Sequence, residues 1–374
     1  MLIIAIAWLA ILLFKVCITQ KMLTATRDNI SRSFSDITVM QPILSGDPAL
    51  ETVLAASLQN LPGATFLWLT DVDDAEAARV TQRLQTRYPQ SAIHICAYPE
   101  APEGINPKLY KLEQGRKQVK TLTVLILDDD AVLTATSLNT MLAALDDHSL
   151  VTALPWYVAT DNLPSRLLAQ FVNDNSALTY LPLLPFVRPL TLNGMCYLLP
   201  LRVLESVGGF SPILRHLTDD LALATLLTQQ RVNIVQSVAP VSVQTSVPDV
   251  RRYFRQMHRW FLFATLLMRE KPAGTNLAIF LLQGLHPLLL WAMVVLAFSG
   301  GINCVLLAVV LLVRHVALRR IQRLVSETIS ARPVMSVLSE LLQPVHLIHA
   351  LFNRNIHWRS RRYRVFSNDR FSSL

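Results

Sequence analysis

The feature that most constrains this sequence is an apolar segment that runs directly into three carboxylates. Residues 121–127 are a short apolar or β-branched run, and Asp128, Asp129 and Asp130 follow it without a break. Such a run predicts a strand that is buried on both faces of a parallel sheet. Ligands of parallel sheets bind at the carboxyl ends of the strands, so the three acids are expected to face a crevice.

Three adjacent acids repel one another, and a hard cation with oxygen-rich partners relieves that repulsion. The segment therefore suggests Mg²⁺ or Mn²⁺ carrying a diphosphate. A second interpretation needs no ligand. The acids then form a polar turn that leads into the next helix, with Thr134 as its N-cap. Taken alone, the segment leaves both interpretations open.

The composition indicates a membrane protein. Of the 374 residues, 52% are hydrophobic and only 16% are charged, and the net charge is +8. The basic residues follow the first apolar run and recur near the C-terminus, which suits an anionic membrane surface better than nucleic acid. Four cysteines without a C-x-x-C motif argue against a disulfide framework or a zinc knuckle, and they fit a reducing compartment.

Apolar stretches near both ends divide the chain. Residues 1–20 predict an uncleaved membrane anchor, because basic residues follow the apolar run rather than precede it. The same asymmetry places the next domain, residues 35–270, in the cytoplasm. Residues 276–318 predict a transmembrane helical hairpin. Residues 334–374 predict an interfacial or re-entrant helix with a basic tail, since a full span would put that tail outside.

Strands and helices alternate between the membrane segments. The predicted strands are 37–40, 65–69, 92–96, 122–127 and 150–154. The predicted helices are 48–59, 75–87, 108–118 and 137–145. This alternation indicates an α/β domain with a parallel sheet and covering helices. The sequence has no G-x-G-x-x-G motif and no P-loop motif, which argues against a dinucleotide fold and a P-loop fold.

A second predicted strand also ends in acids. Asp71 and two further aspartates follow the strand at 65–69, so two carboxylate clusters are expected to converge on one crevice. Pro107 predicts a helix start between these clusters. Lys108, beside that helix start, is placed to meet a phosphate, although an exposed lysine is often only solvated.

Two later segments each allow a purely structural and a functional interpretation. Asp219 and Asp220 follow Thr218, a predicted N-cap, and acids in a first helical turn stabilise the helix whether or not one of them acts as a base. The two histidines of the last apolar stretch, His346 and His349, mark either a metal site or interfacial packing. The residues alone leave these alternatives open.

A third segment places Gln256, Arg259 and Trp260 on one helix face. An arginine in fixed geometry suits bidentate phosphate contact. A basic and aromatic helix just before a membrane segment is equally typical of an interfacial anchor.

Taken in order, these motifs resemble a known series. Asp71, the acids at 128–130, the pair at 219–220 and the segment 256–260 resemble the D, D, D, (Q/R)xxRW series of family 2 glycosyltransferases. The whole chain resembles the ceramide glucosyltransferase-like members of that family, including the bacterial hopanoid-biosynthesis glycosyltransferases. The supporting stretches are residues 37–42, 193–196, 208–210 and 356–364.

The resemblance implies a GT-A (Rossmann-like) catalytic domain with N-terminal and C-terminal transmembrane helices. It also implies a nucleotide-sugar donor, Mg²⁺ or Mn²⁺, and inversion at the anomeric carbon. Asp71 would hold the uracil or ribose, Asp128 and Asp130 would bind the metal and the diphosphate, and Asp220 would be the general base. The predicted substrate-binding residues are Asp71, Lys108, Asp128, Asp219, Gln256, Arg259 and Trp260.

The resulting prediction is an integral membrane glycosyltransferase. It would move glucose or N-acetylglucosamine from a UDP-sugar to the hydroxyl of a ceramide-like or hopanoid-like lipid at the cytoplasmic leaflet of a bacterial inner membrane. The expected partners are the UDP-sugar, the lipid acceptor and the bilayer, but not nucleic acid. The alternatives are a processive polysaccharide synthase, which needs more spanning helices, and a non-catalytic membrane protein with a degenerate sheet domain.

Overall fold

The computed structural model describes residues 1–25, 32–327, 332–358 and 361–373. Residues 359 and 360 of the predicted basic tail lie outside this part. The strands are β1 Ile37–Pro42, β2 Thr65–Asp71, β3 Ala92–Tyr98, β4 Thr123–Leu127, β5 Ala131–Leu133, β6 Ser149–Tyr157, β7 Cys196–Pro200, β8 Asn233–Val243, β9 Asn355–Trp358, β10 Arg361–Val365 and β11 Phe371–Ser373.

The helices cover the sheet and form the apolar ends of the chain. They are α1 Leu2–Leu23, α2 Leu50–Asn60, α3 Ala75–Arg87, α4 Pro107–Arg116, α5 Ala135–Ala143, α6 Leu163–Tyr180, α7 Leu201–Ser206, α8 Asp219–Gln229, α9 Val250–Glu270, α10 Ala273–Ile279, α11 Leu285–Ala297, α12 Gly301–Val325 and α13 Pro333–Phe352. A π-helical stretch, Phe280–Gly284, joins α10 to α11.

Eight strands form the central sheet in the order β3-β2-β1-β4-β7-β6-β8-β5. The predicted strands that correspond to β1, β2, β3, β4 and β6 are confirmed, and β1, β2, β3 and β4 pair in parallel. This is the mixed, curled α/β sheet of the GT-A fold.

The five predicted strands run in the same direction, and the sheet is mixed because of a strand that the sequence did not predict. The strand β7 runs antiparallel to both of its neighbours, β4 and β6. The chain turns back there because the loop before β7 hydrogen-bonds to the end of β4, where Asp128 N–H donates to the Met195 carbonyl at 2.9 Å. Reversal of β7 therefore places residues 193–195 beside the carboxylates that follow β4.

The two faces of the sheet explain the uninterrupted apolar run of β4. Leu125 and Leu127 pack into one core layer, whereas Val124 and Ile126 pack into another on the opposite face. All four side chains are fully buried. A strand covered by helices on both sides needs apolar residues at every position, as the run predicts.

Four helical stretches are long and apolar enough to cross a membrane: Leu2–Leu23, Ala273–Ala297, Gly301–Val325 and Pro333–Phe352. The first three contain the predicted anchor and hairpin. The fourth packs against α6, α9 and α11, and its interfacial or re-entrant placement stays a prediction. Two of its histidines pack against α9: His346 Nε2 lies 3.2 Å from the Tyr253 hydroxyl, and the rings of His349 and His258 are 4.4 Å apart.

Candidate active site

The helix α4 brings two lysines to the carboxyl ends of the parallel strands. Asn106 caps the helix by accepting hydrogen bonds from the N–H groups of Lys108 and Leu109, and Pro107 occupies its first turn as predicted. Lys108 and Lys111 lie three residues apart and therefore share a face of this helix. Each of them binds a carboxylate that sequence analysis had singled out.

Lys108 connects two distant acidic motifs. Its ammonium lies 2.8 Å from Asp128 Oδ1 and 2.9 Å from Asp219 Oδ2, and it donates to the Gly194 carbonyl at 2.8 Å. Burial alone would lower the pKa of Lys108, but the two carboxylates raise that pKa well above its usual value. The lysine is therefore a fixed positive charge between the end of β4 and the start of α8. The expected contact with a phosphate stays a prediction.

Lys111 forms an ion pair with the acid at the end of β2, the second strand that ends in acids. This fully buried side chain donates to the Ile43 carbonyl at 2.8 Å and pairs with Asp71 Oδ2 at 3.0 Å. The nearby Asp74 has a structural role, because it caps α3 and accepts from the Ser45 N–H at 2.8 Å. Only Asp71 of these two acids belongs to the end of a strand that faces the site.

The three acids after β4 divide between two kinds of contact. Asp129 Oδ2 accepts a hydrogen bond from the Leu44 N–H at 2.7 Å, so this acid holds the backbone. Asp130 accepts from the Thr245 hydroxyl, and burial together with Asp128 raises the pKa of Asp130 to about 6. The predicted capping interaction is also present, since the Thr134 hydroxyl accepts from the Ser137 N–H. The capping interpretation of this segment is therefore confirmed, and the cation interpretation stays a prediction.

Asp219 and Asp220 begin α8, as predicted. Asp220 Oδ1 accepts from the Leu221 N–H at 2.7 Å, and burial together with Asp219 raises the pKa of Asp220 to about 7. Thr218 occupies the N-cap position, but the expectation that its side chain caps the helix was wrong. Its hydroxyl donates instead to Asn368 Oδ1 at 2.5 Å.

A glycine makes room for this acidic pair. A Cβ atom on Gly194 would lie 3.3 Å from Asp219 Oδ2 and 3.3 Å from Asp220 Cβ. The carbonyl of Gly194 accepts from Lys108. The loop before β7 therefore approaches α8 as closely as a residue without a side chain permits.

The helix α9 supplies a buried arginine on the same side. Arg259 Nη2 donates to Gln256 Oε1 at 3.0 Å, which confirms that the two residues share a face. Burial lowers the pKa of Arg259, while the nearby Tyr157 and the charges of Asp130 and Asp219 act in the opposite direction. The guanidinium thus lies within electrostatic reach of acids from two other segments.

Trp260 does not project from the protein surface. Its ring meets the Tyr157 ring edge-on at 5.7 Å and stacks on the Phe171 ring at 6.3 Å. This tryptophan therefore packs against β6 and α6. An interfacial position of α9 stays a prediction.

A largely apolar cavity of about 380 Å³ adjoins these residues. Asp220 and Trp260 both lie on its wall. Further lining side chains come from α6 and α9 and include Phe171, Asn175, Tyr180, Phe261, Ala264 and Leu267. A carboxylate with a raised pKa thus faces a space that suits an apolar molecule with one polar group.

The carboxylates that follow β4 are possible ligands of a divalent cation. Asp128 and Asp130 offer carboxylate oxygens, and burial together with the charge of Asp128 raises the pKa of Asp130 to about 6, a cost that a nearby cation would reduce. Within the described ranges, no three His, Cys, Asp or Glu side chains form a group that could hold a metal. Two carboxylates fit an ion of the Mg²⁺ type, which takes its other ligands from phosphates and water.

Sequence analysis missed several residues of the site: Lys111, Tyr157, Thr245 and Asn368. Lys111 lies one helical turn after Lys108, and that spacing could have revealed it. The other three reach the site only through tertiary contacts and carry no local signal.

The fold and this arrangement of residues define a glycosyltransferase of the GT-A type. The family described as Glycosyl transferase family 21 matches residues 2–371, and the chain belongs to that family. No curated protein matches the sequence significantly.

One solved structure supports the fold. A mannosyltransferase from Pyrobaculum calidifontis, in complex with GDP-Man and Mn²⁺, aligns with a TM-score of 0.54 at 15% identity, over 93% of this chain and 98% of that chain. A second structure, titled as a mycobacterial protein, aligns with a TM-score of 0.38 at 15% identity, over 67% of this chain and 82% of that chain.

Proposed function

We propose that this protein transfers a hexose, glucose or N-acetylglucosamine, from a UDP-sugar to the hydroxyl group of a ceramide-like or hopanoid-like membrane lipid. The observation that carries the proposal is the position of Asp220, which follows Asp219, the ion-pair partner of Lys108, and lies on the wall of the apolar cavity. A general base is useful when its pKa lies near the working pH. An apolar cavity beside it favours a lipid acceptor over a growing polysaccharide.

The acceptor side of the reaction uses Asp220 and the cavity. The apolar part of the lipid occupies the space between α6 and α9, with its hydroxyl at the carboxylate. The proton of that hydroxyl passes to Asp220 as the oxygen bonds to the anomeric carbon and the bond from that carbon to the diphosphate breaks. One base and a single displacement give inversion.

The donor side uses the strand ends. Asp71 would bind the uridine, with Lys111 fixing its carboxylate. Asp128 and Asp130 would hold Mg²⁺ or Mn²⁺, which neutralises charge on the diphosphate when bound. Lys108 and Arg259 supply fixed positive charge for the leaving UDP, with Gln256 orienting the guanidinium. Trp260 lies on the wall of the cavity, where its ring contacts Tyr157 and Phe171.

The membrane helices suit this acceptor. Four stretches are long and apolar enough to span, and α6, which lines the cavity, packs directly against α1, α12 and α13. A lipid hydroxyl at the membrane surface therefore has a short path to Asp220. The positive-inside rule puts the catalytic domain on the cytoplasmic side.

The test incubates membranes that contain the full chain with radiolabelled UDP-glucose, UDP-N-acetylglucosamine or GDP-mannose, and then separates lipids from polymer. GDP-mannose is included because the archaeal structure holds it. Label from a UDP-sugar should enter the lipid fraction, disappear on chelation and return with Mn²⁺ or Mg²⁺. Label only in polymer, only from GDP-mannose, or equal with Asp220→Asn would overturn the proposal.

A further inference from the structure

The start of α8 is held by a residue from the far end of the chain. The N–H of Thr218 donates to Asn368 Oδ1 at 2.8 Å, and the hydroxyl of Thr218 donates to the same oxygen at 2.5 Å. The N–H of Leu217 donates to the Asn368 carbonyl at 2.9 Å. One asparagine therefore accepts three hydrogen bonds from the two residues just before Asp219.

A second asparagine holds the same segment from the other side. The side-chain amide of Asn106 donates to the His216 carbonyl at 3.0 Å and to the Leu217 carbonyl at 3.4 Å. The N–H of Asn106 donates to the Leu214 carbonyl at 2.8 Å. Residues 214–218 thus lie between the helix that carries Lys108 and the C-terminal strands.

The C-terminal strands form a fixed platform in the described structure. Asn368 is only 5% exposed and lies in the turn between β10 and β11. Ile356 and Val365 pack with Leu217 and Leu221 in one buried cluster that also includes residues of α9. Two buried donors of Thr218 therefore depend on an acceptor that is itself enclosed.

We propose that Asn368 is a positioning residue, which sets the start of α8 and thereby aims the Asp219–Asp220 pair at the acceptor hydroxyl. This inference rests on the proposed glycosyl transfer and on Asp220 as its base. Removal of the Asn368 amide leaves two donors without an acceptor in a place closed to water, so the segment has to move to satisfy them. Displacement of a catalytic group by about 1 Å can reduce the rate about a hundredfold.

The first experiment compares purified full-length Asn368→Ala with the wild type in lipid nanodiscs. The value of kcat should fall about tenfold to a hundredfold, while KM for the UDP-sugar stays within about twofold, because the proposed donor contacts lie at the ends of β2 and β4 and on α4 and α9. Hydrogen–deuterium exchange of the peptide that covers residues 214–222 should rise. Ser367→Ala is the matched control, since the Ser367 hydroxyl donates to Asp369 Oδ1 within the same turn.

The second variant, Asn368→Asp, separates positioning from mere support of the fold. Its carboxylate keeps both acceptor bonds and adds a negative charge near Asp219 and Asp220. The kcat should recover to within about threefold of the wild type at high pH, and the acidic limb of the kcat–pH profile should move upward by about half a unit.

Three results would overturn the inference: an unchanged kcat in Asn368→Ala, a parallel loss of kcat, nucleotide affinity and melting temperature there, or an unmoved pH profile in Asn368→Asp. Failure of the proposed function looks different. The wild type then transfers no sugar, while the exchange measurement still reports whether Asn368 holds residues 214–222.

Discussion

Two clusters of charged side chains in the described part of the chain differ in how completely they are enclosed. The Lys108 cluster consists of Lys108, Asp128 and Asp219, whose side chains are 15%, 28% and 21% exposed. The Arg314 cluster consists of Asp174, His286, Arg314 and Glu340, whose side chains are between 3% and 9% exposed. The first adjoins the cavity and the second lies among the helices.

The Arg314 cluster ties helices together. Arg314 Nε lies 2.6 Å from Glu340 Oε2, and Glu340 Oε1 lies 3.0 Å from His286 Nδ1. Asp174, 3.6 Å from Arg314, also accepts from Gln322 at 2.6 Å. These contacts join α6 of the catalytic domain to α11, α12 and α13. Polar groups in membrane helices commonly face a bundle interior and pair in this way.

The two clusters differ in the partners of their carboxylates and not in burial alone, since burial also raises the pKa of Asp174, and we propose a ligand only for the acids around Lys108. In the Arg314 cluster each carboxylate meets a cation or several donors. Around the Lys108 cluster, one lysine meets two acids, and Asp130 and Asp220 both have raised pKa values because of burial and an adjacent acid. Excess negative charge beside an open cavity is a cost that a bound cation and substrate remove.

The largest expected effect comes from removing the base. Asp220→Asn should lower transfer about 10²- to 10⁴-fold, the usual contribution of general acid–base catalysis, with UDP binding retained. Steady-state transfer and UDP affinity measure the two parts. Asp73→Asn, which changes an exposed acid near the end of β2, is the control. Unchanged turnover in Asp220→Asn would remove this residue from the mechanism.

Breaking the enclosed cluster should affect stability first. Arg314→Met leaves Asp174 and Glu340 without their shared cation and should cost about 3–5 kcal/mol of unfolding free energy. Melting in detergent measures this loss. Arg320→Met, which removes an exposed arginine from the same helix, should change little. Adding Asp174→Asn and Glu340→Gln to Arg314→Met should restore part of the stability. A melting temperature of the triple variant below that of Arg314→Met would show that unpaired charge is not the cause of the lost stability.

Lys108→Met should act on the reaction more than on the fold. Loss of the ammonium removes the ion pairs of Lys108 with Asp128 and Asp219 and also a charge that lowers the pKa of Asp220. We expect transfer to fall about tenfold to a hundredfold and the acidic limb of the pH profile to move upward. Lys117→Met, on the exposed end of the same helix, is the matched control. A large drop in melting temperature with an unmoved pH profile would contradict this assignment.

The wild-type pH profile should follow Asp220. Burial and Asp219 raise its pKa to about 7, and a base must be unprotonated, so kcat should rise with pH through that value. At one pH unit below the pKa, about a tenth of the plateau rate remains. A profile that stays flat from pH 5 to pH 8 would mean that protonation of Asp220 does not control the rate in this range, or that chemistry does not limit the rate.

The smallest expected effect is spatial. Gly194→Ala places a Cβ 3.3 Å from both Asp219 and Asp220, and the resulting shift should reduce kcat several-fold, about fivefold, with little change in melting temperature. Gly274→Ala is the control, because nothing lies within 4 Å of the added atom. Equal activity of the two variants would show that the acidic pair tolerates displacement.

Much of the fold was predictable because its signals are local. Local sequence patterns predict the strand β4 from its uninterrupted apolar run and the start of α4 from its proline. The long apolar helices are predicted in the same way from their continuous apolar sequence. The antiparallel course of β7 was not predictable in that way. It depends on which strand the returning chain meets, and the Met195 contact with Asp128 is made only after the sheet has assembled.

The acidic residues of the candidate site could be predicted from the sequence, and the contacts of its basic residues could not. Asp128 and Asp220 follow clear strand and helix signals, and the resemblance to a known series supported them. The bridging role of Lys108 could not be seen, because the lysine, Asp128 and Asp219 are far apart in sequence. Asn368 gave no signal at all, since one asparagine in a turn resembles any other.

The bond between Thr218 and Asn368 spans 150 residues of sequence. At about 5–20 residues per second, a ribosome needs roughly 8–30 s to make that interval. The chain has to produce α10, α11, α12 and α13 within this time. The start of α8 therefore gains this support only after the hydrophobic helices have been synthesised, which delays completion of the proposed catalytic centre until those helices have had the opportunity to enter a membrane.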